Sequence, residues 1–343
     1  MSTFRKLHWG ILGCAGIAEK AFIPAVLQSG NGALGAIAAR DPARAGDWAR
    51  RFGFARAHRT YQELVDDPAV DAVYNPLPND LHAEWSIRAI RAGKHVLCEK
   101  PMAMNAPEVR AMIQAAETHG VLLMEGFMYK FHPQIGRTLE LVGQGAIGPV
   151  RSVHSSFTFR FERDGTNYRW SPARGGGALY DVGCYTVSIA RLVLGAEPSA
   201  ATAAARIDPA TGVDLTAAVL LEFPGGRFAL CDASFESHFQ SRLVAAGAEA
   251  TLRLDRAFSA KDFDVAVEIV RGEAVERAPI GKANMFTLMV EHFNEAVLGQ
   301  APLRYPASDA WHNMRVLDAC FESIRTGARV VIPISVSEQG GHP

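Results

Sequence analysis

The sequence predicts an α/β protein in two parts: a parallel sheet wrapped by helices, then a mostly antiparallel sheet. Two observations carry this. Over roughly the first 125 residues, short apolar runs alternate with helical stretches, as in strands that pair in parallel through helical crossovers. After about residue 128, strand-like runs follow one another across turns such as Pro224-Gly225-Gly226, the pattern of antiparallel pairing. The division falls into domains 1–126 and 127–343.

The elements follow in order. Residues 7–13, LHWGILG, read as a buried strand running into glycine, and 16–28 as a helix that Pro24 should bend. Residues 33–39 form a second strand, ending at Arg40-Asp41-Pro42, and 43–52 a helix stopped by Gly53. A short helix at 61–65 and a strand at 69–74 precede Asn75-Pro76-Leu77-Pro78-Asn79. A helix at 81–92 ends before Gly93, and the strand 95–98 ends in Glu99-Lys100-Pro101. Then come a helix at 106–119 and a strand at 121–124. In the second part, 134–142, 179–194, 286–298 and 308–325 read as helices. Strands are expected at 150–160, 200–207, 217–223, 227–234, 241–246, 250–254 and 265–271.

Composition narrows the function. Hydrophobic residues make up 48% and charged residues 21% of the 343, which suits a large core. A formal net charge of −1 without a basic block argues against a nucleic-acid partner. No apolar run suggests a membrane span, and the first residues enter a strand pattern without a signal segment. Five scattered cysteines, with no C-x-x-C pair, give no metal signature and suit a reducing cytoplasm.

Ligands of such parallel sheets bind beyond the carboxyl ends of the strands, and each chemically distinctive cluster falls there. Gly13-Cys14-Ala15-Gly16-Ile17-Ala18 follows a strand and opens a helix, as a dinucleotide-binding turn does. An ordinary tight turn would look similar, since Ala15 stands where a second glycine is expected. Arg40 follows the second strand, where a carboxylate would read the ribose hydroxyls of NAD. An arginine there suits the 2′-phosphate of NADP, with Arg44 one turn on as a second contact. NADP(H) is therefore favoured, while Asp41 keeps NAD(H) open.

Lys100 ends the fifth strand, and Pro101 restricts its backbone toward extended geometry. Downstream, Asp181 and Tyr185 lie four apart on a helix after Gly175-Gly176-Gly177. A lysine, a carboxylate and a phenol can run alcohol–ketone proton chemistry, the ammonium favouring phenolate. Each also has an ordinary reading: a surface lysine, a helix-start carboxylate, a core aromatic.

Together the Glu99-Lys100-Pro101 and Gly176-Gly177-x-Leu179-x-Asp181-x-Gly183-x-Tyr185 motifs resemble the glucose–fructose oxidoreductase / inositol dehydrogenase family, also called Gfo/Idh/MocA. So do Trp9-Gly10-Ile11-Leu12-Gly13, Pro76-Leu77-Pro78-Asn79 with His82, and the run from Met124 to Pro133. The resemblance covers nearly the whole chain. It implies an N-terminal Rossmann dinucleotide-binding domain and a C-terminal α/β domain with a large open, mostly antiparallel sheet that makes homodimers or homotetramers. Many members have histidine where this chain has Tyr185. Tyrosine resembles the branch of glucose–fructose oxidoreductase, dimeric dihydrodiol dehydrogenase, NADP-dependent D-xylose dehydrogenase and nucleotide-sugar ketoreductases, which implies that Lys100 and Tyr185 are the catalytic pair.

The expected activity is therefore hydride transfer between NADP(H) and a secondary alcohol or carbonyl of a sugar, such as D-xylose, or of a cyclic polyol. Keto-sugar reduction, dihydrodiol oxidation and a catalytically silent cofactor-binding protein are the alternatives. Pro76, Leu77, Asn79, His82, Glu99 and Trp170 join the glycine turn as expected cofactor neighbours. Phe159, Tyr168, Arg169, His238 and Phe286 are the substrate candidates, with core packing the competing role for Phe159 and Phe286.

Overall fold

The structure, a computed structural model, describes residues 5–163, 165 and 167–333. They divide into two units. The first runs to Phe131 and takes up Asn284–Trp311; the second holds His132–Ala283 and the chain from His312 on.

The first unit is built on six parallel strands in the order β3-β2-β1-β4-β5-β6. These are β1 (Leu7–Leu12), β2 (Gly32–Ala38), β3 (Arg56–His58), β4 (Ala72–Asn75), β5 (His95–Cys98) and β6 (Leu123–Glu125). The order reverses between β1 and β4, so the ends of β1, β2, β4 and β5 surround a topological switch point. Strand β3 has no counterpart in the sequence reading: its Arg-Ala-His sits at the sheet edge and carries no apolar run.

The expected helix at 16–28 is one unbroken helical run with a π-helical turn inside it. A π-helical turn, Ala18–Phe22, passes into α1 (Ile23–Gln28), and Pro24 stands in the first turn of α1. Pro24 thus lies inside a continuous helical run, where it has no N–H to donate, and the π-helical turn directly before it is the local irregularity that accompanies it. Helix α2 (Pro42–Phe52) starts on the Asp41 carboxylate, which accepts from the Ala43 N–H at 3.0 Å, and ends at the left-handed Gly53. Helices α3 (Tyr61–Val65), α4 (His82–Arg91) and α5 (Ala106–His119) complete the crossovers.

Trp9, fully buried in β1, explains why residues 284–311 belong to this unit and not to a continuous 127–343 domain. Its ring packs on Phe22 and Phe293, and its indole N–H donates to Asn294 Oδ1 at 3.1 Å. Both partners from the later segment lie on a helix over Met285–Val297. Lys130, buried beside Phe127 and Tyr305, pairs with Asp309 of the same segment.

The second unit begins with helix α6 (Pro133–Gly143) and carries nine strands in the order β14-β13-β12-β11-β7-β10-β9-β8-β15. These are β7 (Val150–Thr158), β8 (Ala200–Ile207), β9 (Asp214–Phe223), β10 (Arg227–Ser234), β11 (Gln240–Gly247), β12 (Thr251–Leu254), β13 (Val265–Arg271), β14 (Ala274–Ile280) and β15 (Val330–Val331). Its strands pair antiparallel except at the central β7–β10 pair, which is parallel. Strands β14 and β15 are absent from the sequence reading, because β14 is almost wholly exposed and lacks alternation and β15 has two residues. A second π-helical turn, Leu179–Gly183, leads into α7 (Cys184–Leu194). The run Pro172–Leu194 is long and apolar enough to cross a membrane by composition, but 89% of its most apolar window is buried inside the protein, as in a core helix.

Candidate active site

In the first unit the glycine turn leaves β1 with Gly13 at φ +87°. A side chain there would be strained, and its Cβ would lie 3.2 Å from Leu77 and 3.5 Å from the Tyr61 hydroxyl. The space beyond the Cα of Gly16 is open, Cys14 and Ala15 are half-buried, and Gly16 and Ile17 are exposed. Ala18, buried, packs the helix onto the sheet. Burial pushes the Cys14 thiol up to about 11, which outweighs the opposing pull of Arg44. The turn therefore offers small neutral groups and the unpaired N–H groups of a helix start, a fit for pyrophosphate.

Arg40 is exposed at the end of β2, and its backbone and charge both act on the Tyr61 phenol. Arg44 donates to the Cys14 carbonyl at 3.1 Å, so it braces the turn as well as carrying charge. Asp41, engaged as the cap of α2, has one carboxylate oxygen already committed. Two guanidinium-bearing residues beside a glycine turn, with the neighbouring carboxylate in use, fit a dinucleotide that bears an extra phosphate.

The turn after β4 is pinned by Asn75, which is fully buried. Its amide donates to the His82 carbonyl at 3.1 Å and to Ser86 Oγ at 3.0 Å, and its oxygen accepts from the Leu77 N–H at 3.3 Å. Pro76, Leu77 and Asn79 are buried in this turn. His82 departs from the expected role of cofactor neighbour. Its ring is buried, with Nδ1 2.9 Å from the Pro101 carbonyl and Nε2 2.7 Å from the Leu77 carbonyl. Burial pushes it down to about 4, and the Lys100 charge adds to this against the pull of the two carbonyls. With both nitrogens facing protein oxygens, the neutral ring donates its single N–H to one of the two carbonyls and packs against the other, between the β4 and β5 turns.

At the end of β5, Glu99 is buried and accepts from the Tyr74 hydroxyl at 2.7 Å. Lys100 is half-buried, and the Lys100–Pro101 peptide is cis. The Met102 N–H donates to Glu125 Oε1 at 2.9 Å, which fixes the chain just after the lysine to the end of β6.

The second unit assembles the other expected residues around the glycine run. Gly176 lies so close to the Arg169 carbonyl that a Cβ would stand 2.5 Å from its oxygen. Arg169 Nε donates to Asp181 Oδ2 at 2.8 Å, and Asp181 is buried. Burial works against the Arg169 charge, but the charges of Asp181, Tyr168 and Tyr185 outweigh it and hold the guanidinium well above the usual arginine range. Tyr185, also buried, sits edge-on to Phe157 at 5.3 Å and to Phe258 at 5.5 Å.

Tyr168 lies under the Arg169 guanidinium at 5.0 Å, and Trp170 stacks on Phe161 at 5.5 Å. The indole N–H of Trp170 is buried without a hydrogen-bond partner. Phe159 joins this aromatic cluster through Phe161 and Phe235, so its packing role is real. His238 is exposed in the loop after β10, its carbonyl accepting from Thr158 Oγ1 at 2.6 Å. Phe286 is buried in the helix Met285–Val297 of the first unit.

The sequence reading missed Asn75, Tyr61, Tyr74 and Asp214. Asp214, buried at the start of β9, accepts from the Leu179 N–H at 2.6 Å, at the head of the helical run bearing Asp181 and Tyr185. Burial pushes its carboxyl up to about 7, against the N–H donors of Leu179, Asp214 itself and Ala178. Among the described residues, no group of three or more His, Cys, Asp or Glu could hold a metal ion.

A dinucleotide turn on a parallel sheet, and a buried phenol beside a cation–carboxylate pair, define a nicotinamide-dependent oxidoreductase class. The chain belongs to the GFO/IDH/MocA oxidoreductase family: the family's NAD-binding Rossmann fold matches residues 7–127 and its C-terminal domain residues 137–253. It is 39% identical to D-xylose 1-dehydrogenase (NADP(+)) 2 of Haloferax volcanii, over 94% of this chain and 99% of that one. Among solved structures it resembles KijD10, a 3-ketoreductase from Actinomadura kijaniata in complex with NADP and TDP-benzene. That match has a TM-score of 0.88 and 33% identity over 93% of this chain and 98% of that one. The aldose-aldose oxidoreductase of Caulobacter crescentus matches with a TM-score of 0.88 and 30% identity, over 95% and 100% of the two chains.

Proposed function

We propose that this oxidoreductase uses NADP(H) and transfers hydride between the nicotinamide and a secondary alcohol or carbonyl of a sugar, with an aldopyranose such as D-xylose, oxidised at its anomeric carbon, as the leading substrate. The observation that carries the reading is Tyr185, a phenol caged by Phe157 and Phe258 within the electrostatic reach of Arg169. A buried phenol can hold or release the proton of a carbinol as hydride moves. Lys100 supplies an ammonium that favours the phenolate, and Asp181, held by Arg169, orients the substrate hydroxyl. Bound NADP supplies the hydride acceptor, or NADPH the donor.

Arg40 reads the 2′-phosphate, with Arg44 bracing the turn beneath the pyrophosphate. Glu99, placed by Tyr74, faces the nicotinamide end. The aromatic residues Tyr168, Trp170 and Phe159 offer faces on which a sugar ring stacks.

Reduction of a nucleotide-bound keto sugar is the second reading, favoured by the likeness to the Actinomadura 3-ketoreductase over nearly its whole length. The assay follows nicotinamide absorbance with D-xylose, D-glucose and a cyclic trans-diol, each with NADP⁺ and NAD⁺, and with a dTDP-keto sugar plus NADPH. Turnover of the aldoses preferring NADP⁺ supports the first reading. Turnover confined to the keto sugar selects the second, and silence throughout sinks both.

The outer face of the second sheet supports self-association into a dimer or tetramer. Phe228 and Leu230 of β10 are 44% and 45% exposed there, with Leu220 of β9 beside Leu230 and Val244 of β11 in line beyond His154 of β7. Cytoplasmic residence is consistent with five cysteines that form no disulfide.

A further inference from the structure

We propose that Asp214 is a positioning residue for the reaction: its carboxylate locks the first turn of the helical run that carries Asp181 and Tyr185 onto the rigid sheet. The inference rests on the roles proposed above for those two residues.

Asp214 begins β9, an interior strand of the nine-stranded sheet paired on both sides by β8 and β10. Its Oδ2 accepts the Leu179 N–H at 2.6 Å, and the Ala178 N–H is a further donor. These amides belong to the helix start, where N–H groups have no partner within the helix. Asp214 is thus a cap supplied from 35 residues away in sequence, not by the residue before the helix, and no side chain from the preceding residue caps this turn.

Gly177 shows how closely the two segments are fitted. A Cβ on Gly177 would stand 2.0 Å from Asp214 Oδ1, and its φ of +108° disfavours any side chain. The carboxylate occupies the volume a side chain would fill. On the other side of the turn, the Gly177 N–H donates to the Arg169 carbonyl at 3.0 Å, and the Gly177 carbonyl accepts from the Asp181 N–H at 3.1 Å. One turn therefore sets the placements of Arg169 and Asp181 together, and Tyr185 follows one turn on. A shift of an ångström in such groups costs far more rate than binding. Of the residues expected to hold the dinucleotide, all but Trp170 belong to the first unit, whereas Asp214 belongs to the second.

The test compares Asp214→Asn, which keeps one acceptor oxygen, with Asp214→Leu, which keeps the shape and no acceptor. The readouts are kcat, dinucleotide affinity, and amide hydrogen exchange over residues 178–185 in the protein alone. The expected order of kcat is wild type, then Asn, then Leu, with a loss of about 10- to 100-fold for the Leu variant. Dinucleotide affinity should hold, and exchange over 178–185 should quicken in the same order. If the Leu variant does not fold, the Asn variant against wild type carries the comparison. Unchanged kcat and exchange in a folded Asn variant overturn the proposal, as does a kcat loss matched by an equal loss of dinucleotide affinity. Tyr185→Phe runs alongside. If that variant keeps full activity, the reaction reading fails and Asp214 has no reaction to serve, whatever the exchange data show about the cap.

Discussion

Arg169, whose side chain is 29% exposed, holds the buried Asp181 in an ion pair, Nε to Oδ2 at 2.8 Å. This changes the part Asp181 can play. A carboxylate committed to a guanidinium is a weak base, so its use lies in orientation and in balancing charge. Replacing Arg169 by Met takes the guanidinium away from the buried Asp181 carboxylate, an unfavourable loss of opposite charge. The kcat/KM at neutral pH should fall roughly tenfold or more, because the carboxylate loses the group that orients it. Arg169→Lys should recover part of that loss. A kcat/KM for Arg169→Met equal to that of wild type would show that the pair has no part in turnover.

Arg40 and Arg44 separate two functions that the sequence alone merges. Arg40 is exposed at the strand end, whereas Arg44 also holds the Cys14 carbonyl at 3.1 Å. Arg40→Ser should raise the KM for NADP⁺ by about 10- to 100-fold, the worth of one or two charge-assisted hydrogen bonds. The KM for NAD⁺ should barely change. Arg44→Ser loosens the turn itself and should weaken both cofactors. Equal losses for NADP⁺ and NAD⁺ in the Arg40 variant would remove it as the phosphate reader.

The difference between what the sequence shows and what it hides is a matter of range. Strands β1, β2, β4 and β5 are visible because each is an apolar run closed by Gly, Asp-Pro, Asn-Pro or Lys-Pro within a few residues. Gly13, Arg40 and Lys100 are visible because strand ends in a parallel sheet are where ligands bind. Asp214 is not, since its partner Leu179 is 35 residues away and only the missing Cβ of Gly177 hints that something fills the space. His82 misled for the opposite reason. A histidine just beyond a strand end has the right place for a ligand contact, but the fold turns it inward onto the carbonyls of Leu77 and Pro101. The helix 285–297 is legible as a helix, yet its membership of the first unit depends on Trp9 meeting Asn294, a pairing across 285 residues.

Asp67 should make the first unit acid-sensitive. It is buried, and burial alone would raise its carboxyl. The Ala69 N–H, His58 and Arg56 outweigh this and hold it at about 2. A carboxyl held below its unfolded value stabilises the fold fully above about pH 4, and this stability is lost as pH falls through about 2. The shift is worth about 2 kcal/mol. Urea titrations at pH 7 and pH 3 should show a smaller difference for Asp67→Asn than for wild type, because the variant has already lost this contribution at pH 7. Equal differences for the two proteins would assign the acid sensitivity elsewhere.

Leu230 tests the outer face of the second sheet. It lies on β10 between Leu220 of β9 and His154 of β7, 45% exposed, on an interior strand where an isolated apolar side chain gains nothing. Phe228, two residues away on the same face, extends the patch. If this face joins two copies, Leu230→Glu places two buried carboxylates in the interface without partners, and each costs several kcal/mol. Light scattering after gel filtration should then show a monomer for the variant where wild type is a dimer or larger, at the same concentration. The far-UV spectrum should be unchanged, because the residue packs against no core. A variant that keeps the wild-type mass would move the interface off this face, and the apolar patch at Phe228 and Leu230 would need another partner.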